Sequence, residues 1–327
     1  MSMSSIETRP RPPRRLRDLA LLGGLFALVI GGLASLAAAT GWDETMAQLA
    51  KLGPVQIGVL LGLSLVNYLL RGLRWHIFAT RLGLPLGLGQ NLRHFLGGFA
   101  MSVTPGRVGE LIRMRWIARE TGWAFERTAP LVLIDRASDL AAMGLILGLS
   151  LAFAAGGVTL ALPVAALAIA ASVIVTRPAL LAGFATQFYR RTGLLPRLMT
   201  RIRRAAQSLR AFSHPQTLSF AAARGLVGWL AEGYAFHLLL GWFGADLGFW
   251  KAVMIFVFAT LAGGLTGAPG GVGGAEAAMI ALLYMDGIGA EIAVPATAVI
   301  RVTTLWFAIL IGLALFPQAE AKSKGAR

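Results

Sequence analysis

The sequence predicts an all-α polytopic membrane protein, with about six full spans and two re-entrant hairpins arranged as an inverted repeat. Its 327 residues are 56% hydrophobic and only 14% charged. Several apolar runs approach or exceed the roughly 20 residues that a helix needs to cross the hydrocarbon core of a bilayer. Two of the apolar segments are each interrupted by a Pro-Gly motif, and paired interruptions are typical of membrane proteins built from inverted repeats.

The composition excludes several kinds of site. The chain has no cysteine, which excludes disulfides, thiolate nucleophiles and cysteine-ligated metals. Its histidines show no metal-ligand spacing and are scattered along the chain: His76, His94, His214 and His237. The sequence therefore gives no indication of a metal or of any other cofactor.

The positive charge is concentrated in two basic segments. The formal net charge is +15, and arginines dominate residues 1–18 and residues 177–210, the second of which contains no acidic residue. Basic clusters beside apolar spans set membrane topology and contact anionic lipid headgroups. We therefore attribute the charge to membrane topology and not to nucleic-acid binding.

The first apolar segment, 19–40, follows a basic tail at residues 1–18. A cleaved signal peptide is an alternative interpretation, because the segment has a basic start and ends in alanines. Its apolar stretch of about 21 residues is longer than the usual 7–15 residues of a signal peptide. We therefore predict a retained transmembrane helix here.

The remaining apolar segments fall into two kinds. Uninterrupted spans are predicted at 54–78, 128–154, 158–176, 216–243 and 292–316. Two more segments, at about 91–120 and 250–286, are each broken at a Pro-Gly motif. A break there leaves arms of about ten to twenty residues, or about 15–30 Å of helix, which is enough for a re-entrant hairpin.

The Pro-Gly motif occurs twice with similar surroundings. The sequence Thr-Pro-Gly-Arg-Val-Gly-Glu occupies 104–110, and Ala-Pro-Gly-Gly-Val-Gly-Gly occupies 268–274. A Pro-x5-Arg run follows each copy, and the proline-to-proline spacing is 25 residues in the first copy and 26 in the second. Proline removes a backbone donor and glycine permits left-handed dihedrals, so each motif can separate two helices.

We predict that these motifs form hinges at the hairpin tips. The hinge residues are Pro105, Gly106, Gly109, Pro269, Gly270, Gly271 and Gly273. The helix arm that starts after each break points its first N–H groups and a positive dipole end into the membrane, where they attract anions such as phosphate. The alternative is a glycine-rich motif that only packs helices together.

The distribution of basic residues tests this topology. With the N-terminus in the cytoplasm and both hairpins re-entrant, every basic segment falls on the cytoplasmic side, including the loop 177–214 and the tail 317–327. The unit span–hairpin–span then occurs twice, at about 54–154 and 216–316, with opposite orientations. We therefore predict a single transmembrane domain, 19–316, built from inverted repeats.

Three charged residues follow the first break along one helix side: Arg107, Glu110 and Arg113. One glutamate between two arginines leaves a net positive face that can bind a lipid phosphate. A self-neutralising network near the cytoplasmic interface is the alternative.

Two further arginines are expected near the middle of the membrane, where an arginine is costly and usually functional. Arg136 lies about eight residues into its span, and Asp139 can pair with it. Arg301 has no acidic residue within one turn, so Glu276, Glu232 or a substrate phosphate is its expected partner.

The neighbouring arginines of the second span have a different expected role. Arg71 and Arg74 lie at the cytoplasmic end of the span 54–78. We interpret them as anchors whose long side chains extend to the membrane surface.

At these residues the chain resembles the lysylphosphatidylglycerol synthase transmembrane (flippase-like) family. The similarity rests on Asn-Tyr-Leu-Leu-Arg-Gly-Leu-Arg-Trp at 67–75, the first Pro-Gly motif, and Ile-Asp-Arg-Ala-Ser-Asp at 134–139. The second Pro-Gly motif with the later Arg301 adds to it, and the likeness extends over about 20–316. One departure is Gly271, which occupies the position of Arg107 in the first copy.

The resemblance implies a role in lipid handling. In the namesake proteins this domain is associated with moving aminoacylated phosphatidylglycerol between leaflets, and a separate soluble domain makes that lipid. The 327 residues contain no such soluble domain, so the resemblance implies no synthase activity. Stand-alone members include proteins associated with hopanoid or polyprenyl-lipid pathways, and the motifs do not separate these branches.

The leading hypothesis is a lipid translocase of the bacterial inner membrane, with cytoplasmic termini and no enzymatic activity. Its partners would be membrane lipids, anionic or phosphate-bearing, and not nucleic acid. One alternative is a membrane-embedded glycosyl- or acyl-transferase, for which Asp135, Asp139, Glu110 and Glu276 are the available acid–base groups. Another is a non-transporting scaffold, with lipid-biosynthesis enzymes as partners. The lipid, the direction and energy source of transport, and the oligomeric state are left open.

Overall fold

The described segments form helices throughout, as the sequence predicts. The computed structural model describes residues 42–102, 108–154, 177–192 and 209–325, and the isolated helical positions Gly24, Ala27 and Gly31. All regular secondary structure in these segments is helical. The chain is therefore an all-α polytopic membrane protein.

Five helices make up the first half of the described chain. In order they are α1 (Trp42–Leu49), α2 (Pro54–Arg81), α3 (Leu88–Gly97), α4 (Val108–Thr121) and α5 (Phe125–Ala154). A short 3-10 turn, Gly98–Met101, extends α3 toward the first Pro-Gly motif. The helices α3 and α4 thus form the two arms of the first predicted hairpin.

Six helices make up the second half. In order they are α6 (Pro178–Thr192), α7 (Pro215–Phe243), α8 (Phe249–Leu265), α9 (Gly274–Met285), α10 (Ala290–Arg301) and α11 (Phe307–Gly325). Short turns precede α7 (Leu209–Phe212), separate α8 from α9 (Pro269–Gly271) and join α10 to α11 (a π-helical turn, Val302–Trp306). The helices α8 and α9 form the second hairpin.

Three helical segments in the described part of the chain are long and apolar enough to cross a membrane. They are Pro54–Arg81, Phe125–Ala154 and the continuous segment Ala290–Gly325. The predicted span 216–243 corresponds to α7, a helix of 29 residues. Two predicted spans lie outside the described residues: 158–176, and 19–40 apart from three positions. The total of six spans therefore stays a prediction.

The second hairpin is broken where the sequence predicts. The helix α8 ends at Leu265, and Gly267, Gly270, Gly271 and Gly273 all have positive φ angles before α9 begins. Only glycine adopts such angles at little cost, so the run of glycines lets the chain reverse within a few residues.

The two arms of this hairpin approach closely at Gly263. A Cβ atom added to Gly263 would lie 2.6 Å from Ala275 Cβ and 2.9 Å from the Gly271 carbonyl oxygen. The absence of a side chain at this position therefore allows the end of α8 to lie directly against the tip and the start of α9.

The first hairpin has helices on both sides of its motif. The 3-10 turn ends at Met101 and α4 begins at Val108, so described helical structure lies on either side of the predicted break. The predicted hinge residues Pro105 and Gly106 fall outside the described residues, whereas Gly109 lies within α4.

The helices of the two predicted repeats pack crosswise against each other. The first helices of the repeats, α2 and α7, lie side by side. The hairpin arm α8 packs on α5, the last helix of the first repeat, while α3 and its 3-10 turn pack on α11, the last helix of the second. The packing is therefore reciprocal, because an arm of each hairpin lies against the last helix of the other predicted repeat.

The last helix is longer than the predicted span. It continues past 316 to Gly325, and its far end packs against the first hairpin, with Ala319 and Ser323 completely buried. Residues 317–325 therefore continue the last helix and pack on the first hairpin through one face.

Candidate functional site

A cavity of about 580 Å³ lies between the two hairpins. The tip of each hairpin contributes to its wall, through Ser102 on one side and Gly270 and Gly271 on the other. The charged side chains that line it are Arg71, Arg113, Arg136, Arg301, Asp139 and Glu232. Five of these six, all except Arg71, are among the site residues predicted from the sequence.

One wall of the cavity contains an ion network between α2 and α5. Arg74 Nη2 lies 2.6 Å from Asp135 Oδ1 and 2.8 Å from Asp139 Oδ1. Arg71 Nη2 lies 2.6 Å from Asp139 Oδ2. Trp229 of α7 donates its indole N–H to Asp139 Oδ1 over 3.2 Å. Asp139 therefore joins three helices through its two oxygens.

The interpretation of Arg71 and Arg74 as surface anchors is wrong. Both residues are buried, and Arg74 is completely inaccessible to solvent. Arg71 and Arg74 are three positions apart on α2, and Asp135 and Asp139 are four positions apart on α5. Both spacings place the two side chains on one face of their helix, so the arginine pair can face the aspartate pair. This complementary spacing was present in the sequence and could have identified the pair of helices in contact.

Arg136 lies at the cavity end of the same network. Its Nη2 atom is 3.2 Å from Asp135 Oδ2 and its Nη1 atom is 3.5 Å from Asp139 Oδ2. Its side chain keeps 28% of its surface exposed, far more than its two aspartate partners. The predicted pairing with Asp139 is thus present, but Asp139 is held more closely by Arg71 and Arg74.

Arg301 joins the end of α10 to the second hairpin. Its Nε atom lies 2.6 Å from Glu276 Oε1, and its Nη2 atom donates a hydrogen bond to the Gly270 carbonyl oxygen over 3.1 Å. Of the three partners considered from the sequence, Glu276 is the one that the structure pairs with it. The guanidinium group therefore contacts both the hinge and the first turn of α9.

The acidic group at the start of α9 is a side chain of the protein, that of Glu276. Glu276 Oε2 accepts a hydrogen bond of 2.7 Å from the Gly273 N–H, at the first turn of the helix. Acidic groups are favoured there by the helix dipole and by the backbone donors. Glu276 thus lies between the helix end and Arg301, and the binding of an anion such as phosphate at this end stays a prediction.

Arg113 of α4 lies against aromatic rings. Its guanidinium carbon is 4.4 Å from the centre of the Phe95 ring and 5.6 Å from those of Trp75 and Phe99. Stacking on aromatic faces holds a guanidinium group while leaving its edge available for hydrogen bonds. Its place in the cavity wall agrees with the prediction that this helix presents a cation to the interior.

Glu232 of α7 is buried and faces the cavity. It forms no ion pair with the part of the chain that the structure describes.

The remaining predicted residues are only partly placed. Arg107 falls outside the described residues, and for Glu110 only the helical backbone of α4 is described.

The charges around the cavity favour an anion. Counting the residues directly behind the lining, five guanidinium groups (Arg71, Arg74, Arg113, Arg136 and Arg301) face four carboxylates (Asp135, Asp139, Glu232 and Glu276). Arginine binds phosphate through paired N–H groups, and a low-dielectric setting strengthens such contacts. Within the described ranges, no three histidine, aspartate or glutamate residues form a group suited to a metal ion.

Comparison with known proteins places the chain in a family. Residues 20–312 match the family described as the lysylphosphatidylglycerol synthase TM region. A "UPF0104 membrane protein" of Methanothermobacter thermautotrophicus is 25% identical over 322 residues, which cover 90% of this chain and 95% of that protein. A second match of the same description and organism is 29% identical over 128 residues, covering 39% of this chain and 38% of that protein. Since the family match extends over most of the sequence, the chain belongs to the family of the lysylphosphatidylglycerol synthase TM region.

Proposed function

We propose that the protein is a lipid translocase that moves an anionic or phosphate-bearing headgroup between leaflets through the central cavity. The observation that carries this proposal is an arginine-rich cavity whose walls include the tips of two interrupted hairpins. Interrupted helices that meet at a repeat interface are the usual site of substrate binding in transporters.

The headgroup is proposed to contact Arg136 and Arg301, which lie in different repeats. Arg136 has the more exposed guanidinium group, whereas Arg301 is tied to the second hairpin tip. A phosphate between them would make charge-assisted hydrogen bonds to both. Its entry would compete with Glu276 for Arg301 and so loosen the contact between α10 and α9.

The acyl chains are proposed to remain in the bilayer while the headgroup moves. Two leucines of the cavity wall, Leu140 on α5 and Leu265 at the end of α8, are 60% and 88% exposed. Large apolar side chains with this exposure face lipid in a membrane protein, so the cavity has a lateral border against the hydrocarbon. A volume of about 580 Å³ suits a polar headgroup better than a complete lipid.

Movement requires the site to open to each leaflet in turn. The glycines of the second tip supply the backbone freedom for a hinge, and the first motif is proposed to do the same. The positive-inside distribution supports cytoplasmic termini in an inner membrane and repeats of opposite orientation. Because a ligand shifts an equilibrium only through differential affinity, the lipid must bind both states comparably to be released.

A vesicle assay tests this proposal. The purified protein is reconstituted into vesicles with fluorescent phosphatidylglycerol, and a membrane-impermeant reductant reports how fast lipid leaves the inner leaflet. We expect the wild type to accelerate exchange over protein-free vesicles. Arg136→Gln and Arg301→Gln should each lower that rate about tenfold or more, because each removes a charge-assisted contact to phosphate worth roughly 1.5–3 kcal/mol.

The matched control is Arg190→Gln, which removes the same charge from an exposed position of α6 that does not line the cavity. It should leave the exchange rate unchanged. Exchange that is equal in protein-containing and protein-free vesicles, or that is insensitive to both cavity variants, would contradict the proposal.

A further inference from the structure

A second cavity lies on the outside of the helix pair α2–α7. It has a volume of about 490 Å³ and is formed where α2 ends and α7 begins. Its lining residues are Ile77, Thr80, Arg81, Thr217, Phe220 and Arg224. We call this feature the α2–α7 groove. It shares no lining residue with the central cavity.

The groove is positively charged. Arg81 and Arg224 are its charged lining residues, and neither forms an ion pair within the described part of the chain. Arg224 is held in place by its neighbour Phe220, because its Nη1 atom donates to the Phe220 carbonyl oxygen over 3.1 Å and its guanidinium lies 5.5 Å from that ring. One arginine held in place, a second arginine in the same wall and no carboxylate among the lining residues favour an anionic ligand.

A buried hydroxyl group adds to this receptor. Thr217 is 1% exposed, and its Oγ1 atom has no hydrogen-bond partner among the described residues. A buried polar group without a partner is costly, so a ligand that accepts its hydrogen bond would be favoured. Thr217 also lies in the first turn of α7, where no side chain caps the backbone N–H groups.

The surroundings of the groove select a membrane lipid. Phe220 is 57% exposed, and Val227, two turns further along α7, is also exposed. In a membrane protein these apolar surfaces contact acyl chains. A ligand with a phosphate at the arginines and hydrocarbon along α7 would satisfy both parts of the surface.

We propose that the α2–α7 groove binds the phosphate of an anionic phospholipid, with Arg81 and Arg224 as its cationic contacts and Thr217 as an additional donor. This site goes beyond the proposed translocation, because the lipid stays on the outer surface of the helix pair. Arginines at the membrane surface attract anionic lipids, and bound lipid here would join the first helices of the two repeats.

Native mass spectrometry of the detergent-purified protein tests this site, with phosphatidylglycerol as the probe and phosphatidylcholine as the comparison. We expect Arg81→Gln combined with Arg224→Gln to weaken the binding of one phosphatidylglycerol by about tenfold or more, as loss of charge-assisted contacts predicts. Arg190→Gln should bind like the wild type. The cavity variants Arg136→Gln and Arg301→Gln should retain this bound lipid, which separates the result from that of the translocation assay.

Three outcomes would overturn the proposal. They are unchanged phosphatidylglycerol binding in the groove variant, equal binding of phosphatidylcholine, and displacement of the lipid by millimolar inorganic phosphate, which would indicate a soluble anion as the ligand. If the double variant fails to fold, Thr217→Val provides a second test. It keeps the side-chain shape, and we expect it to weaken phosphatidylglycerol binding without affecting insertion; unchanged binding there would likewise count against the site.

Discussion

Arg74 is completely buried and holds two aspartates of α5 at once. A charge in this setting depends on its partners, since burial removes the hydration that would otherwise stabilise it. The same holds for Asp135 and Asp139, which would face each other across a low-dielectric interior without it. Arg74 is therefore a structural residue, whereas Arg136 at the edge of the same network reaches the cavity.

We predict different effects for these two arginines. Arg74→Gln should lower the free energy of unfolding by about 3–5 kcal/mol, because it leaves buried carboxylates without their main partner. Arg136→Gln should cost far less stability but should lower lipid exchange. Thermal unfolding in detergent and the vesicle assay separate the two effects. Equal stability of both variants would contradict the division of roles.

Local sequence signals identified some of these residues and not others. Arg136 and Arg301 could be predicted because an arginine deep within an apolar run is unusual. The pairing of Arg71 and Arg74 with Asp135 and Asp139 was missed because hydropathy alone does not show which helices touch; the matching spacing of the charged residues on the two helices is the signal that could have found it. The pairing of Arg301 with Glu276 was one of the predicted alternatives, but the sequence could not select it over Glu232, because Glu276 is 25 residues away and meets Arg301 only where the hairpin folds back.

The second hairpin was predicted closely at the level of elements. The sequence places it at 250–286, and its helices run from Phe249 to Met285. This succeeds because apolar length and glycine-proline breaks are local features. The close approach of the two arms at Gly263 was not predicted, since a glycine within a helix carries no sign of what lies against it.

We predict that Gly263→Ala destabilises the protein, whereas Gly241→Ala does not. A Cβ at Gly263 would press on Ala275 and on the Gly271 backbone, and such overpacking costs roughly 1–3 kcal/mol. At Gly241, also within a helix, nothing lies within 4 Å of an added Cβ, so alanine should be neutral or slightly stabilising. Unfolding midpoints of the two variants check this. Equal unfolding midpoints for the two variants would contradict this prediction and would show that the hairpin tip can shift to accommodate the added methyl group.

The far end of α11 holds the first hairpin in place. Glu320 accepts hydrogen bonds from Trp116 Nε1 over 2.8 Å and from Arg119 Nη1 over 2.9 Å, both on α4. The partners are about 200 residues apart in the chain, so the sequence alone gave no reason to connect them. The predicted cytoplasmic tail thus fixes one arm of the hairpin that borders the cavity.

We predict that Glu320→Gln loosens this arm specifically. It removes the charge that Trp116, Arg119 and Lys324 contact, and hydrogen bonds to charged groups contribute roughly 1.5–3 kcal/mol. Amide hydrogen exchange should therefore become faster in α4 and remain unchanged in α8 and α9. The control is Lys322→Gln, an exposed position on the same helix. Unchanged exchange in α4 would mean that packing alone holds the arm.

At the scale of the whole molecule, each hairpin rests on the last helix of the other repeat. Because of this packing, we expect a movement of one predicted repeat to displace the hairpin of the other repeat as well. The two-repeat organisation stays a prediction from the paired motifs and the charge distribution. The crosswise packing could not be predicted, because it depends on the three-dimensional contact between α8 and α5 and between α3 and α11.

We predict that the cavity is reached from both membrane faces in turn. The natural chain has no cysteine, so Thr260→Cys introduces a single thiol into the cavity wall. A membrane-impermeant maleimide should label it from either side of sealed vesicles. Thr297→Cys, at a completely buried position, should stay unlabelled. Labelling of Thr260→Cys from one face only would argue against alternating access.

The most direct measurement of the central claim is mass spectrometry of co-purifying lipids in a background that carries Arg81→Gln and Arg224→Gln. This background removes lipid bound at the α2–α7 groove, so the remaining enriched lipid reports on the central cavity. We predict that one anionic or phosphate-bearing class is enriched over the bulk membrane and is lost when Arg136→Ala and Arg301→Ala are added. Retention of the same lipid after both cavity arginines are removed, or bulk lipid alone in every sample, would contradict the account.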